Sequence, residues 1–260
     1  MRRAEDVRAV LELGASGLGP SGIARETGVP RGTVRDWLSG KLPRGFTADG
    51  VQVSSCRRCG ARAHQLDQLP AAYVYLLGLY LGDGCISAHR REVYRLRIVL
   101  DLRYPGIVDE CAAAIGEVMP RNAVHRQMRR GGFTRRTEYT NVEVSAYSKS
   151  WPCLFPQHGS GRKHERRIEL AEWQRELVAR HPALMLRGLI HSDGCRFQNT
   201  GRGWSHPRYS FANLSDDIKR IFCDTCELMG LHWTASGEKT IYVSRKADVA
   251  VLDRFVGPKT

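Results

Sequence analysis

Two aspartates, Asp83 and Asp193, each close a run of the same design: Leu76-Leu77-Gly78-Leu79-Tyr80-Leu81-Gly82-Asp83-Gly84 and Leu186-Arg187-Gly188-Leu189-Ile190-His191-Ser192-Asp193-Gly194. Each run is an apolar helix-like stretch with small residues four apart, Gly78 with Gly82 and Gly188 with Ser192. Those residues share a helix face and admit a second backbone at close range, so they predict a helix interface. Asp83 and Asp193 then stand at helix C-termini, with Gly84 and Gly194 free to take the left-handed cap. A carboxylate there faces the negative end of the helix dipole. If the helices pair, two like charges also converge, and a cation between them removes both penalties. That is the chemistry of a divalent-metal site.

The elements that must position the acids recur in one order. After the first run, the alternating stretch Tyr94–Leu100 predicts a strand, Gly106–Val118 a helix, and Val124–Met128 and Tyr139–Ser145 two more strands. After the second run come a strand over Tyr209–Leu214, a helix over Asp216–Met229, strands over His232–Ala235 and Thr240–Val243, and a helix over Ala247–Phe255. Two copies of one α+β unit imply a pseudo-twofold domain. We divide it into a first repeat over 71–170 and a second over 171–260.

On these two motifs and the repeated order, residues 71–260 resemble a two-repeat, monomeric LAGLIDADG homing endonuclease. The resemblance implies an α+β fold of two αββαββα halves, with the motif helices paired at the centre and two antiparallel sheets forming a saddle on double-stranded DNA. It places the metal-binding acids on Asp83 and Asp193, with the backbone of Gly82 and Ser192 beside them. It implies Mg²⁺ or Mn²⁺ as cofactor and hydrolysis of both DNA strands. Lys149 and Lys246 fall where members often carry a basic residue that assists at the solvent side of the site. The sixth motif position, usually acidic, is Leu81 in one copy and His191 in the other.

A net charge of +13 and a pI of about 9.7 make a polyanion the first partner to consider. Arg95 and Arg97 alternate along the first predicted strand. Arg126, Arg129, Arg130, Arg135 and Arg136 cluster on a predicted hairpin with Gly131-Gly132 at its tip, where only every second side chain would reach DNA. Arg208 lies in the counterpart loop of the second half, with Trp204 and His206. The basic run over 159–167 reads as a linker between the halves.

The first 45 residues predict three short helices, with Gly28 at the turn and Val34 and Trp37 buried. They look like a helix-turn-helix of bacterial regulators, which leaves Arg31, Thr33, Arg35 and Asp36 facing a major groove. Residues 46–70 form a linker. Within it Cys56-Arg57-Arg58-Cys59-Gly60 is half of a tetrahedral zinc site; His64 is the candidate third ligand and Cys153, His158 or His164 the candidate fourth. A pair of reduced surface thiols is the alternative. Cys223 and Cys226 lie in an apolar helical pattern and read as core.

No segment approaches the ~20 apolar residues of a membrane span, and the N-terminal residues do not form a signal-peptide core. The expectation is a cytoplasmic, nucleoid-associated protein. Two functions compete: a site-specific endonuclease, and a non-cleaving DNA-binding transcription regulator with a LAGLIDADG-like fold. Retention of both acids favours the endonuclease, since unneutralised carboxylates beside phosphate weaken binding.

Overall fold

The computed structural model describes residues 4–43, 46, 56, 58–60, 64–130, 139–257 and 259. The chain divides into two compact units, 1–64 and 65–260. In the first, α1 (Ala4–Ala15), α2 (Pro20–Thr27) and α3 (Arg31–Leu38) enclose Val7, Val10, Ile23, Val29, Val34 and Trp37. Gly28 ends α2 at φ 67°, a left-handed conformation that glycine adopts without steric cost. Arg31, Arg35 and Asp36 are exposed on α3, and Thr33 is half-buried.

The second unit is built from two halves with the same element order. The first runs α4 (Ala72–Asp83), β1 (Gly84–Ala88), β2 (Tyr94–Asp101), α5 (Pro105–Val118), β3 (Val124–Arg130), β4 (Tyr139–Ser148) and α6 (Trp151–Leu154). After α7 (Glu172–Arg180), the second runs α8 (Pro182–Asp193), β5 (Gly194–Gly201), β6 (Trp204–Ala212), α9 (Asp216–Leu228), β7 (Thr234–Ser236), β8 (Thr240–Val243) and α10 (Lys246–Asp253). Each half forms a four-stranded antiparallel sheet of matching order, β1-β2-β4-β3 and β5-β6-β8-β7. This is the αββαββα pseudo-twofold arrangement that the repeat implies.

At the centre, α4 and α8 meet backbone to backbone. A Cβ on Gly78 would stand 2.8 Å from the Leu189 nitrogen and the Met185 oxygen, and one on Gly188 would stand 2.3 Å from the Tyr75 oxygen. Only glycine lets the axes come this close. Every residue of α4 from Tyr73 to Leu81 is buried, because it packs on α8 and on the sheets that flank it. The element α7, absent from the sequence-based reading, braces this core through buried Gln174, whose amide donates to Tyr73 Oη at 2.6 Å.

Three expectations need correction. Gly84 and Gly194 are not left-handed caps; their φ values are −87° and −110°, and strands β1 and β5 start on them directly. Glycine is required there by proximity, since a Cβ would stand 2.4 Å from Tyr80 Cα and 2.7 Å from Ile190 Cα. Strands β1 and β5 themselves were not anticipated. Finally, Trp204, His206 and Arg208 lie on β6, which begins before the predicted Tyr209.

Candidate active site at the paired helix ends

The crossing of α4 and α8 brings the two motif aspartates together. A Cβ on Gly82 would lie 2.2 Å from Ser192 Oγ and 2.8 Å from Asp193 Oδ2, so the Asp193 carboxylate stands against the backbone that leads into Asp83. Asn213, just past β6, donates from Nδ2 to Asp193 Oδ2 at 2.7 Å. Burial pushes the Asp83 carboxyl up to about 6, and the nearby Asp193 charge adds to that rise; Lys163 and Lys259 oppose it. The Asp83 residue nonetheless keeps an exposed surface. The Asp193 carboxyl is also raised, by burial, against the Asn213 hydrogen bond and the same two lysines. The acids therefore repel, as like charges in a partly dehydrated site must.

Beside them opens a cavity of about 570 Å³, lined among others by Gly82, Cys85, Lys163, Arg166, Asp193 and Asn213. Lys163 comes from the segment that the sequence presents as a solvated linker. Its Nζ donates to the last carbonyls of α4, those of Tyr80 at 2.5 Å, Leu81 at 2.8 Å and Gly82 at 2.7 Å. Burial lowers its ammonium to about 8, against the pull of Asp193 and Asp83. Lys259, beyond α10, donates to the His191 carbonyl of α8 at 2.9 Å.

The lysines singled out from the sequence have these surroundings. Lys149 lies 3.7 Å from Glu92 in an exposed ion pair, and Lys246 is exposed as the first residue of α10. His191, at the sixth motif position, is buried and meets Tyr75 Oη through Nδ1 at 2.9 Å. Burial and the Arg187 charge hold its pKa down to about 4, so it is a neutral tie between α8 and α4. Arg187 makes a two-pronged ion pair with Glu110 of α5, at 2.7 and 2.8 Å.

The outer faces of the two sheets differ. On the first, Leu96, Ile98 and Leu100 turn inward and leave Arg95 and Arg97 on the outside. Arg95, Arg97 and Arg129 converge on Glu143 of β4 at 2.6, 4.0 and 3.0 Å, and Glu143 is only 3% exposed. Arg126 is a correction: alternation along β3 sets it on the helix side, where it pairs with Asp109 of α5 at 2.5 Å. Arg130 follows a register shift in β3 and lies over the Tyr139 ring at 5.7 Å. Arg135 and Arg136 lie outside the described residues. On the second sheet Arg208 stacks over Tyr242 at 4.7 Å, near Phe197.

In the first unit, the donor atoms of Cys56, Cys59 and His64 lie within 4.8 Å of one another. Cys59 Sγ is 3.2 Å from His64 Nε2. The Gly60 amide donates to the Cys56 carbonyl at 2.8 Å, and Gly60 has φ 66°. This tight turn over Cys-x-x-Cys-Gly gathers three soft donors that could hold a metal ion.

Sequence reasoning missed Lys163, Lys259, Asn213 and Glu143. The positive charge of 159–167 was visible, but nothing local marks which of its residues reaches the acids.

No protein-family model and no curated protein sequence matches the chain. Among solved structures, the N-terminal LAGLIDADG domain of DUF199/WhiA is 12% identical and aligns over 80% of this chain and 96% of its own, with a TM-score of 0.43. The LAGLIDADG meganuclease I-AabMI bound to uncleaved DNA is 9% identical over 70% of this chain and 82% of its own, at 0.42. The homing endonuclease I-WcaI bound to its DNA recognition sequence is 12% identical over 74% and 83%, at 0.44. What the site does rests on this chain's own residues.

No helix among the described residues is long and apolar enough to cross a membrane.

Proposed function

We propose that this protein is a site-specific, metal-dependent endonuclease of double-stranded DNA. One observation carries the reading: the crossing of the two motif helices sets the Asp193 carboxylate, which lines one cavity, against the backbone that leads into Asp83. Two carboxylates and the adjoining carbonyls form a hard oxygen donor set that suits Mg²⁺ or Mn²⁺. When bound, such an ion supplies a Lewis acid and lowers the pKa of water for attack on a phosphodiester. The protein's own part is to hold the acids. Asn213 fixes the Asp193 oxygen, and the glycine-bearing crossing sets the distance to Asp83. Arg95, Arg97 and Arg129 on one sheet, and Arg208 on the other, grip the phosphate backbone on either side of the helix ends. Lys149, after β4, and Lys246, at the start of α10, take phosphate charge at the edges. The three-helix unit adds base contacts through Arg31, Thr33 and Arg35. Each half presents one acid, so a monomer can cut both strands.

The test is cleavage selection on randomised duplex libraries with and without Mg²⁺. Cutting at defined sites only with metal, abolished in D83N and D193N while DNA binding persists, is the expected result. Persistent cutting by the double variant D83N/D193N overturns the assignment of the site. Specific binding without cutting in any metal supports the second reading, a DNA-binding regulator. That reading has an observation in its favour: the Gly82 carbonyl is already occupied by Lys163.

We assign Zn²⁺ to Cys56, Cys59 and His64 in a structural role, since two thiolates and an imidazole are the donors of such sites and three of its tetrahedral positions are thereby filled. Purified protein should carry one zinc per chain, lost in C56S/C59S. A zinc-free protein that also fails to show a thiolate charge-transfer band with Co²⁺ refutes it.

A further inference from the structure

The two lysines beside the acids share a design that the motif does not contain. Lys163 follows α6, the last helix of the first half, and Lys259 follows α10, the last helix of the second. Each returns to the C-terminal carbonyls of the motif helix of its own half. Each ammonium also lies over a tyrosine ring, Lys163 over Tyr80 at 5.1 Å and Lys259 over Tyr104 at 5.7 Å. Each half thus supplies one cation as well as one acid, though Lys163 meets three carbonyls and Lys259 one.

The contacts of Lys163 are specific. An ammonium has three hydrogens, and Tyr80, Leu81 and Gly82 offer three carbonyls at 2.5, 2.8 and 2.7 Å. Its donors are used up at the helix end, so it acts on Asp83 and Asp193 through charge. One of its acceptors, the Gly82 oxygen, is among the oxygens a divalent ion at this site would use. An ammonium and a divalent cation cannot share that position, because they repel and compete for one carbonyl.

We propose that Lys163 and Lys259 are resident cations of the Asp83–Asp193 pair. They hold the two helix ends together in metal-free protein, and Lys163 competes with divalent metal for the Gly82 carbonyl. Metal entry therefore requires the Lys163 side chain to withdraw into the adjoining cavity, which makes the segment over 158–166 a gate on loading. The competition half of this proposal rests on the metal-dependent reading; the resident-cation half does not. A plain helix cap would stabilise α4 to the same extent whatever the charge on the acids, and would leave metal affinity unchanged.

The experiment is a Mn²⁺ titration followed by electron paramagnetic resonance, with thermal unfolding in parallel, on wild type, K163M, K259M, D83N and K163M/D83N. K163M should bind Mn²⁺ about tenfold more tightly than wild type, and Mn²⁺ should raise its Tm by more. K163M should lower the Tm of metal-free protein, and that loss should shrink when Asp83 is already Asn. Equal or weaker Mn²⁺ binding by K163M, or a Tm loss that is the same with and without D83N, overturns the proposal. If K163M does not fold, K259M and K259M/D83N test the resident-cation half: the Tm loss in K259M should shrink when Asp83 is already Asn, and an equal loss overturns it. Wild type that binds Mn²⁺ but never cuts DNA defeats the nuclease reading and leaves this one standing. Metal-dependent cutting with unaltered Mn²⁺ affinity in K163M does the reverse.

Discussion

The closeness of α4 and α8 is the feature from which the acid pair follows, and a matched pair of glycine substitutions measures it. In G188A the new methyl would stand 2.3 Å from the Tyr75 oxygen and 3.0 Å from Gly78 Cα. Both neighbours are backbone, so no rotamer change relieves the contact. Carbon atoms are comfortable at ~3.5 Å, which requires the helices to separate by about 1 Å. Separation on that scale forfeits a quarter to a half of each dispersion contact across the crossing. Tyr75, Leu79, Met185 and Leu189 all pack there and are all buried. Overpacking alone costs about 1–3 kcal/mol, and the lost contacts carry the total to about 3 kcal/mol or more. For a unit of this size that is a fall in Tm of roughly 6–12 °C.

The control is G116A. Gly116 lies in α5 with nothing within 4 Å of its missing Cβ. Alanine there gains helix propensity and restricts the unfolded chain, for about 0.5–1 kcal/mol of added stability. Urea denaturation of both variants, followed by circular dichroism, reads the difference directly. A G188A loss below about 1 kcal/mol, or a loss in G116A equal to that in G188A, would refute the close crossing and with it the juxtaposition of the aspartates.

Three further outcomes test the site and the proposed DNA contacts. Because the native state raises the Asp83 carboxyl from 3.8 to about 6, folded protein binds that proton more tightly than unfolded chain. Its contribution is therefore greatest at low pH and is lost as pH rises through 6. In metal-free buffer, the Tm of D83N relative to wild type should climb between pH 4.5 and 7, as Asp193, Lys163 and Lys259 then face a neutral group; a constant difference contradicts the assigned crowding. On the first sheet, R129A should weaken binding to every duplex sequence and flatten its salt dependence by about one phosphate's worth, measured by fluorescence anisotropy from low to high salt. R35A on α3 should instead change which sequences are preferred, and a swap of these two behaviours would reverse the roles of the units.

The paired helices and their acids were legible because the information is local and periodic. Small residues four apart, closed by Asp-Gly, constrain a helix and its crossing whatever surrounds them. The helices α5 and α9 and the strands β2, β4 and β8 followed from equally local patterns. What could not be read depends on contacts distant along the chain. Lys163 bonds to carbonyls of Tyr80, Leu81 and Gly82, and no pattern near residue 163 marks that partner. The caps at Gly84 and Gly194 were misassigned for a related reason. A glycine after a helix signals either a left-handed residue or a close approach, and only the packing of Tyr80 and Ile190 distinguishes them. Arg126 looked like its neighbours because its charge is visible and its register is not; pairing with Val144 sets it on the face of α5.

Each half supplies one acid, but the outer faces of the two sheets differ, and the difference has a physical sense. On the first sheet, three arginines share one buried carboxylate, so one negative charge fixes three guanidinium groups and leaves about two positive charges unneutralised. Such a face is preorganised for phosphate and indifferent to sequence. The second sheet carries Arg208 stacked on Tyr242, with Phe197, Asn199 and His206 along the same surface. Flat rings and short polar groups add little long-range attraction but are sensitive to the shape and edges of bases. On the nuclease reading proposed above, twofold-related acids would cut two strands symmetrically while the two faces meet the duplex differently, one by charge and the other by contact. On the same reading, an exact palindrome would leave one of these two faces poorly matched, so the expected target is a site without twofold symmetry.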